Sequence, residues 1–250
     1  MIGKQLFFEL IIVGIFVGAI SGFFGVGGGT VLIPILLYLG FDIKDAIGIS
    51  VVQMVFSSLF GSYLNMKKGS LKVSSTIFFG FGGFFGALAS GYVVHSVSSQ
   101  TLTIIFAFMV MFAIFRFFHA PAQSDKKPIE NRGLFFVIGC VIGVFATSVG
   151  IGGALLLTPV MVGILHYHIK EAVSAALFFV VFSSLAGVIS IGSFGYIDFE
   201  HGILIGISSL IGVYAGIHIA HKTNSRRHKN LILILNFVIL AMIFYKLSRG

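Results

Sequence analysis

Charged residues and cysteine are scarce in this sequence. Only 10% of its 250 residues are charged and 57% are hydrophobic, whereas a soluble domain carries about 25% charged residues. The apolar residues form successive runs near the roughly 20 residues that a membrane-spanning helix needs. The scarcity of charge therefore excludes a soluble domain and predicts an all-α, polytopic integral membrane protein. The one cysteine, Cys140, excludes an intrachain disulfide and a cysteine metal cluster.

Signatures of catalysis are lacking as well. The sequence contains no P-loop, no HExxH motif and no nucleophile elbow. His166 and His168 stand two residues apart, which is poor spacing for two metal ligands on one helix face. We therefore expect no enzymatic activity, no cofactor and no metal site.

Acidic residues are missing from the middle of the predicted spans. Asp45 and Glu171 stand at the starts of predicted helices, where a carboxylate interacts favourably with the helix dipole; a role in proton coupling is the alternative. The net charge of +8 comes from basic residues in the loops between apolar segments, as membrane orientation requires. This charge therefore predicts no nucleic-acid partner.

Glycine-rich breaks interrupt two of the apolar runs. They read Phe24-Gly-Val-Gly-Gly-Gly-Thr30 and Val149-Gly-Ile-Gly-Gly-Ala-Leu155, and a proline follows each of them, Pro34 and Pro159. Shifting the chain by 125 residues aligns the two breaks, and after a one-residue insertion Val-Phe-Ser-Ser-Leu at 55–59 recurs unchanged at 181–185. The chain is therefore a duplication, with a first transmembrane repeat at 1–118, a polar linker at 119–133 and a second repeat at 134–250. Internal symmetry of this kind is typical of secondary transporters.

Each half contains five apolar segments, and the second of the five is short. At 1.5 Å per residue, ten to thirteen residues cross only about half of a ~30 Å hydrocarbon core. We therefore predict that the first two segments of each half form a broken or re-entrant pair with the glycines at its tip. The ten segments are 6–24, 30–40, 45–65, 72–94 and 100–118 in the first half, and 134–148, 153–165, 171–192, 202–220 and 230–247 in the second.

Loop charges discriminate between two topologies. If each first pair counts as one crossing, the repeats are parallel and the 16 lysines and arginines divide ten to six. If each pair returns to its starting side, the repeats are inverted and all but Lys4, Lys44, Lys246 and Arg249 lie on one side. The positive-inside rule favours inverted repeats. We expect a multi-pass protein of the cell (inner) membrane, with both termini outside and the linker in the cytoplasm.

The glycine breaks are candidates for an anion site. The N–H groups at a helix start lack partners within the helix and carry partial positive charge, and glycine lets a ligand approach the backbone. Hydroxyl and amide groups on the third segment of each half could add donors to the site. Tight helix packing is the alternative for the glycines, and backbone or interhelical hydrogen bonding is the alternative for the serines. The candidate substrate-binding residues are Gly25, Gly27, Gly28, Gly29, Thr30, Gln53, Ser57, Ser58, Gly150, Gly152, Gly153, Ser183 and Ser184.

Glycines and asparagines elsewhere in the spans are weaker candidates. We assign Gly14, Gly18, Gly80 and Gly86 to helix packing, because small residues let membrane helices approach closely. The amide side chains of Asn65 and Asn236 also lie in or near predicted spans. A ligand contact by either asparagine stays open.

The run from Gly18 to Pro34 and its copy from Gly143 to Pro159 resemble the sulfite exporter TauE/SafE family of membrane permeases. The resemblance covers essentially the whole chain and implies export of small sulfur-containing anions, such as sulfite or organosulfonates, without a bound cofactor. The two copies differ in chemistry, since Ala154 replaces Gly29 and Phe179 replaces Gln53.

The combined expectation is a secondary exporter of a small sulfur-containing anion that works by alternating access. Import or exchange of another anion, such as a carboxylate, is one alternative, and a passive anion channel is another. The expected partners are the small anionic substrate and the lipid bilayer. Coupling to a proton or sodium ion and the oligomeric state stay open.

Overall fold

A computed structural model describes residues 4–119 and 127–249, apart from the side chains of residues 4, 5, 75 and 247–249. The described residues form eleven α-helices, one more than the ten predicted segments, because the segment at 72–94 is divided at Leu88 and Ala89; the other bounds lie within about five residues of the predicted ones. The part of the linker at 120–126 lies outside the described residues. The helices are α1 Lys4–Phe24, α2 Gly29–Tyr38, α3 Ile43–Lys67, α4 Val73–Ala87, α5 Ser90–Ser96, α6 Ser99–His119, α7 Arg132–Ser148, α8 Ala154–Gly163, α9 Ile169–Gly192, α10 Phe199–Lys222 and α11 Ser225–Arg249.

Seven candidate spans among the described residues are long and apolar enough to cross a membrane. One of them, Thr76–Ser96, combines most of α4 with α5. Helix α7, the repeat equivalent of α1, is apolar but has only 17 residues. These helices confirm the prediction of an all-α, polytopic membrane protein.

Short polar side chains start several of the long helices. The Asp42 carboxylate accepts a hydrogen bond from the Lys44 N–H (2.8 Å) at the start of α3. Asn131 caps α7 through the Leu134 N–H (3.0 Å), and Asp198 caps α10 through the His201 N–H (3.1 Å). Such caps satisfy N–H groups that have no partner within the helix.

Packing between the helices follows the repeat. Helix α1 packs along α10, and its equivalent α7 packs along α4; α3 contacts α9, and α6 contacts α11. A Cβ added at Gly18 would collide with the Ser209 carbonyl, and one added at Gly86 would collide with the Cys140 carbonyl. A Cβ added at Gly14 would collide with the Ser208 side chain, and one added at Gly80 would collide with the Phe182 ring. The packing role predicted for these four glycines is confirmed.

Helices α3 and α9, which are repeat equivalents, run antiparallel. The Ser174 hydroxyl at the start of α9 donates to the Ser70 hydroxyl just beyond the end of α3 (3.1 Å). At the opposite ends, Gly48 packs against the Tyr196 carbonyl that follows α9. An inverted pair of repeats requires this antiparallel arrangement, so the packing supports the inverted topology, which stays a prediction.

The two ends of the bundle differ in charge. The basic end includes the start of α9 and the ends of α3, α6 and α10; its cations are Lys67, Lys68, Lys72, Lys170, Lys222, Arg226, Arg227 and Lys229. The other end, which we name the acidic end, includes the starts of α3, α6 and α10; its carboxylates are Asp42, Asp45, Asp198 and Glu200, and they offset cations that include Lys44 and Lys246. At the basic end, Lys72 pairs with Glu171 (2.9 Å).

The first helix pair turns back within the bundle. Helix α1 runs parallel to α10 toward the basic end, because Gly14 lies against Ser208 and Gly22 lies against Val213. Helix α2 then returns to the acidic end, where the Phe41 ring lies 5.4 Å from the His201 ring. The glycines therefore lie at the tip of the pair, as the sequence predicts.

Candidate functional site

Three glycines in each break adopt a left-handed backbone. Their φ angles are 68°, 80° and 88° at Gly25, Gly27 and Gly28, and 70°, 70° and 92° at Gly150, Gly152 and Gly153. Residues that carry a Cβ atom rarely adopt these backbone angles, which explains the repeated spacing G-x-G-G. We name residues 25–28 the first glycine loop and residues 150–153 the second.

The two glycine loops approach each other at the centre of the bundle. A Cβ added at Gly29 would collide with the Gly150 carbonyl oxygen. Between the loops lie Met54 and Val180, which are repeat equivalents on α3 and α9. A Cβ at Gly27 would lie 3.1 Å from Val180 and 3.4 Å from the Met54 sulfur, and a Cβ at Gly152 would meet the same two side chains.

Equivalent serines brace the two loops. The Ser57 hydroxyl donates to the Gly27 carbonyl (3.2 Å), and the Ser183 hydroxyl donates to the Gly152 carbonyl (2.7 Å). Both serines are fully buried. These bonds match the backbone-bonding alternative, and each satisfies a carbonyl that the loop leaves without a helical partner.

The remaining predicted hydroxyls have different surroundings. Ser184 donates to the Val181 carbonyl of its own helix (3.3 Å). The hydroxyls of Thr30 and Ser58 are buried and have no hydrogen-bond partner in the part of the chain that the structure describes. Ser50, one turn before Gln53, donates to the Gly150 carbonyl (3.1 Å) and so links α3 of the first repeat to the second loop.

The Gln53 side chain lies against the first loop at Gly28. It is 0% exposed, and neither its amide nitrogen nor its amide oxygen has a hydrogen-bond partner among the described residues. A Cβ added at Gly28 would collide with this amide. The amide thus lies beside the start of α2, where the helix leaves N–H groups unpaired and adds partial positive charge.

The second loop has an apolar neighbour at the equivalent place. The Phe179 ring lies against Gly153 in the way that Gln53 lies against Gly28. Ala154 is the first residue of α8, as Gly29 is the first residue of α2. Neither position has a left-handed φ angle, so the backbone there suits alanine as well as glycine. The two half-sites therefore share a backbone but differ in their side chains.

The candidate site is closed toward both ends of the bundle. All the glycines of both loops are buried. Val173 on α9 packs on Gly25 from the direction of the basic end, and its equivalent Ile47 on α3 packs on Gly150 from the acidic end. In this arrangement the Gln53 side chain is 0% exposed and so cannot be reached from either end.

Other residues named from the sequence lie away from the loops. Asp45 and Glu171 occupy the first turns of α3 and α9. Asn65 lies near the basic end, where its Oδ1 atom is 3.4 Å from Nε2 of His221. Asn236 is buried, and its amide has no hydrogen-bond partner within residues 4–119 and 127–249. No group of three potential metal ligands occurs in the described part of the chain.

Sequence reasoning missed Met54, Val180 and His228. Met54 and Val180 look like ordinary apolar helix residues, and only the repeat offset of 126 pairs them. His228 was overlooked because it opens the last apolar segment. It is nevertheless 1% exposed.

Comparison with known proteins agrees with this architecture. A probable membrane transporter protein of Methanocaldococcus jannaschii is 27% identical over 244 residues, which cover 90% of this chain and 90% of that protein. The probable membrane transporter protein YunE of Bacillus subtilis is 23% identical over 265 residues, covering 94% and 95% of the two chains. The model of the sulfite exporter TauE/SafE family matches residues 10–243. The protein is a membrane transporter, and its chain belongs to the sulfite exporter TauE/SafE family.

Proposed function

We propose that this protein is a secondary transporter that exports a small sulfur oxyanion, such as sulfite or an organosulfonate, by alternating access. The observation that carries the proposal is the buried, unpartnered Gln53 amide beside Gly28. Leaving an amide buried without a hydrogen bond costs about 1–3 kcal/mol. A ligand that bonds to the amide would offset this cost.

The chemistry of the first loop suits an oxyanion. The start of α2 offers N–H donors and partial positive charge, and the Gln53 amide offers one donor group and one acceptor. An oxyanion that carries one proton could use both parts of the amide. A site built from dipoles also avoids a buried lysine or arginine, which would be costly at membrane depth and would hold the anion strongly.

Alternating access follows from the two closing contacts. Separating Val173 from Gly25 would open the loops toward the basic end, and separating Ile47 from Gly150 would open them toward the acidic end. The two contacts are repeat equivalents, so the same movement performed by either repeat exposes the site to one side at a time. This is the behaviour expected of transporters built from inverted repeats.

The charges of the two ends support an orientation. Under the positive-inside rule the basic end faces the cytoplasm, which places the linker inside and both termini outside the inner membrane. Anions would then be drawn to the cytoplasmic mouth by its excess of cations, whereas carboxylates offset the cations at the acidic end. This asymmetry favours export over import.

The test is a flux screen on proteoliposomes that contain the purified protein. Sulfite, sulfate, thiosulfate, sulfoacetate and acetate are each supplied with imposed proton and sodium gradients. We expect saturable sulfite or sulfoacetate uptake that shows counterflow when the vesicles are preloaded. Preference for acetate would favour a carboxylate carrier, and flux without saturation or counterflow would favour a channel. Absence of flux for all five anions rejects the proposal.

A further inference from the structure

A small cavity with several polar side chains in its lining lies at the basic end of the bundle, apart from the glycine loops. Its volume is about 20 Å³, which is room for about one water molecule. Its polar lining comes from α3, α9, α10 and α11 and consists of Asn65, Lys170, Ser174, His221 and His228.

His228 is the most buried of these polar side chains. It is 1% exposed, and neither ring nitrogen makes a hydrogen bond of normal geometry within the described residues, although the Phe23 carbonyl lies beside the ring. The ring packs 4.8 Å from the Phe23 ring. Burying an imidazole without a hydrogen bond of normal geometry is costly. The cavity beside the ring has room for a group that could form this bond.

Positive charge surrounds the cavity. The Lys170 ammonium group donates to the His221 carbonyl (3.1 Å), and the charges of Lys68 and Lys170 both act on the His221 ring. The nearby carboxylate of Glu171 is already paired with Lys72. The cavity therefore presents donors and positive charge, which is the chemistry that an anion requires.

One side chain joins the cavity to the first glycine loop. Val173 lines the cavity and packs directly on Gly25. Movement of Val173 away from Gly25 would widen the cavity and open the way to Gln53 in one step. The cavity thus lies on the path by which an anion from the basic end would enter.

We propose that this cavity is a second anion site, which holds a small oxyanion before it passes Val173 and reaches the glycine loops. In the closed arrangement the cavity has room for one oxygen of the anion, and it takes the whole anion once Val173 moves. The proposal rests on the proposed function, because it assumes that the transported substrate is an oxyanion.

The equivalent place at the acidic end lacks this chemistry. The repeat puts Leu102 where His228 stands, Ile191 in place of Asn65 and Gly48 in place of Ser174. The lysine and one histidine are kept, because His95 is the repeat equivalent of His221 and the Lys44 ammonium group donates to the His95 carbonyl (3.4 Å) as Lys170 does to the His221 carbonyl. The second anion site therefore occurs at one end, and Lys44 provides a matched control.

The first arm of the test measures sulfite uptake into inside-out membrane vesicles, in which the basic end faces the medium. Lys170→Gln and His228→Leu are expected to raise KM about 3- to 10-fold with less than about twofold change in kcat, as loss of a charged or polar contact predicts. The control Lys44→Gln is expected to leave KM within about twofold of the unmodified protein. His228→Gln keeps a donor and should recover part of the loss, which guards against a folding defect in His228→Leu.

The second arm locates the anion directly by crystallography with selenite, whose selenium scatters anomalously. We expect one peak beside Gln53 and a second within hydrogen-bond reach of His228 or Lys170. A peak beside Gln53 alone, together with equal KM values for Lys170→Gln and Lys44→Gln, overturns the second site and leaves the proposed function intact. If the unmodified protein shows no sulfite flux and neither selenite peak, the proposed function itself is rejected.

Discussion

The two glycine loops have nearly the same backbone and different neighbours. The first loop faces the Gln53 amide, whereas the second faces the Phe179 ring. Ser57 and Ser183 brace the loops in the same way. Duplication has therefore preserved the part that shapes the loops and changed the part that could contact a substrate.

The same contrast holds at the two ends of the bundle. At the basic end Lys72 pairs with Glu171, whereas their repeat equivalents at the acidic end, Asp198 and Asp45, are both acidic. The closing contacts at the two ends are repeat equivalents, whereas the charged side chains make the two ends unequal toward an anion.

The largest expected effect comes from breaking the backbone that the loops share. Gly28→Ala and Gly153→Ala would force a left-handed φ angle on alanine, at about 1–2 kcal/mol, and would collide with Gln53 or Phe179, at about 1–3 kcal/mol. We expect loss of uptake and a lower Tm in detergent for both variants. Gly40→Ala is the control, because Gly40 has a φ angle of 94° but open space around it. Equal Tm values for all three variants would contradict the packing argument.

The next effect tests the difference between the loops. Gln53→Leu removes a buried, unpartnered amide, so we expect the Tm to stay the same or rise by the equivalent of about 1 kcal/mol. Uptake of sulfite should fall at least about tenfold. Phe179→Leu should lower stability by about 1–2 kcal/mol through lost packing, with uptake changed less than about threefold. Equal loss of uptake in the two variants would mean that the loops do not differ in substrate contact.

A smaller effect tests the part that the loops have in common. Ser57→Ala and Ser183→Ala each remove one hydrogen bond to a loop carbonyl, which we expect to cost about 1 kcal/mol. The two variants should have similar Tm values and similar, modest losses of uptake. A loss confined to one of them would show that the bracing bonds are not equivalent.

The smallest effect concerns the ion pair at the basic end. The hydrogen bond and the charge of Glu171 raise the pKa of Lys72 above its ordinary value of 10.5. The stabilisation is therefore complete below that value and is lost as the pH rises through the higher pKa of the folded state. Because Lys72 is largely exposed, Lys72→Gln should cost at most about 0.5 kcal/mol at pH 7. Thermal unfolding at pH 7 and pH 11 checks this, and a difference that grows with pH would contradict the assignment.

Much of the fold could be predicted because it depends on local properties. The apolar runs predicted the helices to within a few residues, and the spacing of Gly25, Gly27 and Gly28 predicted a loop that both repeats share. The predicted linker is too long at both ends, because α6 extends to His119 and α7 begins at Arg132. Helix ends are hard to predict from sequence, because one or two side chains decide where a helix begins or ends.

The contacts of the candidate site were harder to predict. Helix α3 is apolar around most of its circumference, so periodicity cannot show that Gln53 faces Gly28 while Ser57 faces Gly27. The same difficulty hid Met54 and Val180, because any buried apolar side chain could have filled the space between the loops. His228 gave one signal, a histidine opening an apolar segment, but its surroundings come from four different helices.

The sequence by itself determined that the chain is a duplicated, helical membrane protein with two glycine loops. Hydrophobicity and the left-handed backbone of glycine act over a few neighbouring residues, so their consequences can be read along the chain. Only the tertiary structure decided which side chains surround the loops and the cavity, and that the Gln53 amide and the His228 imidazole lie buried without a hydrogen bond of normal geometry among the described residues. Such contacts join residues more than 20 positions apart, and in an apolar helix no local pattern selects the face that makes them.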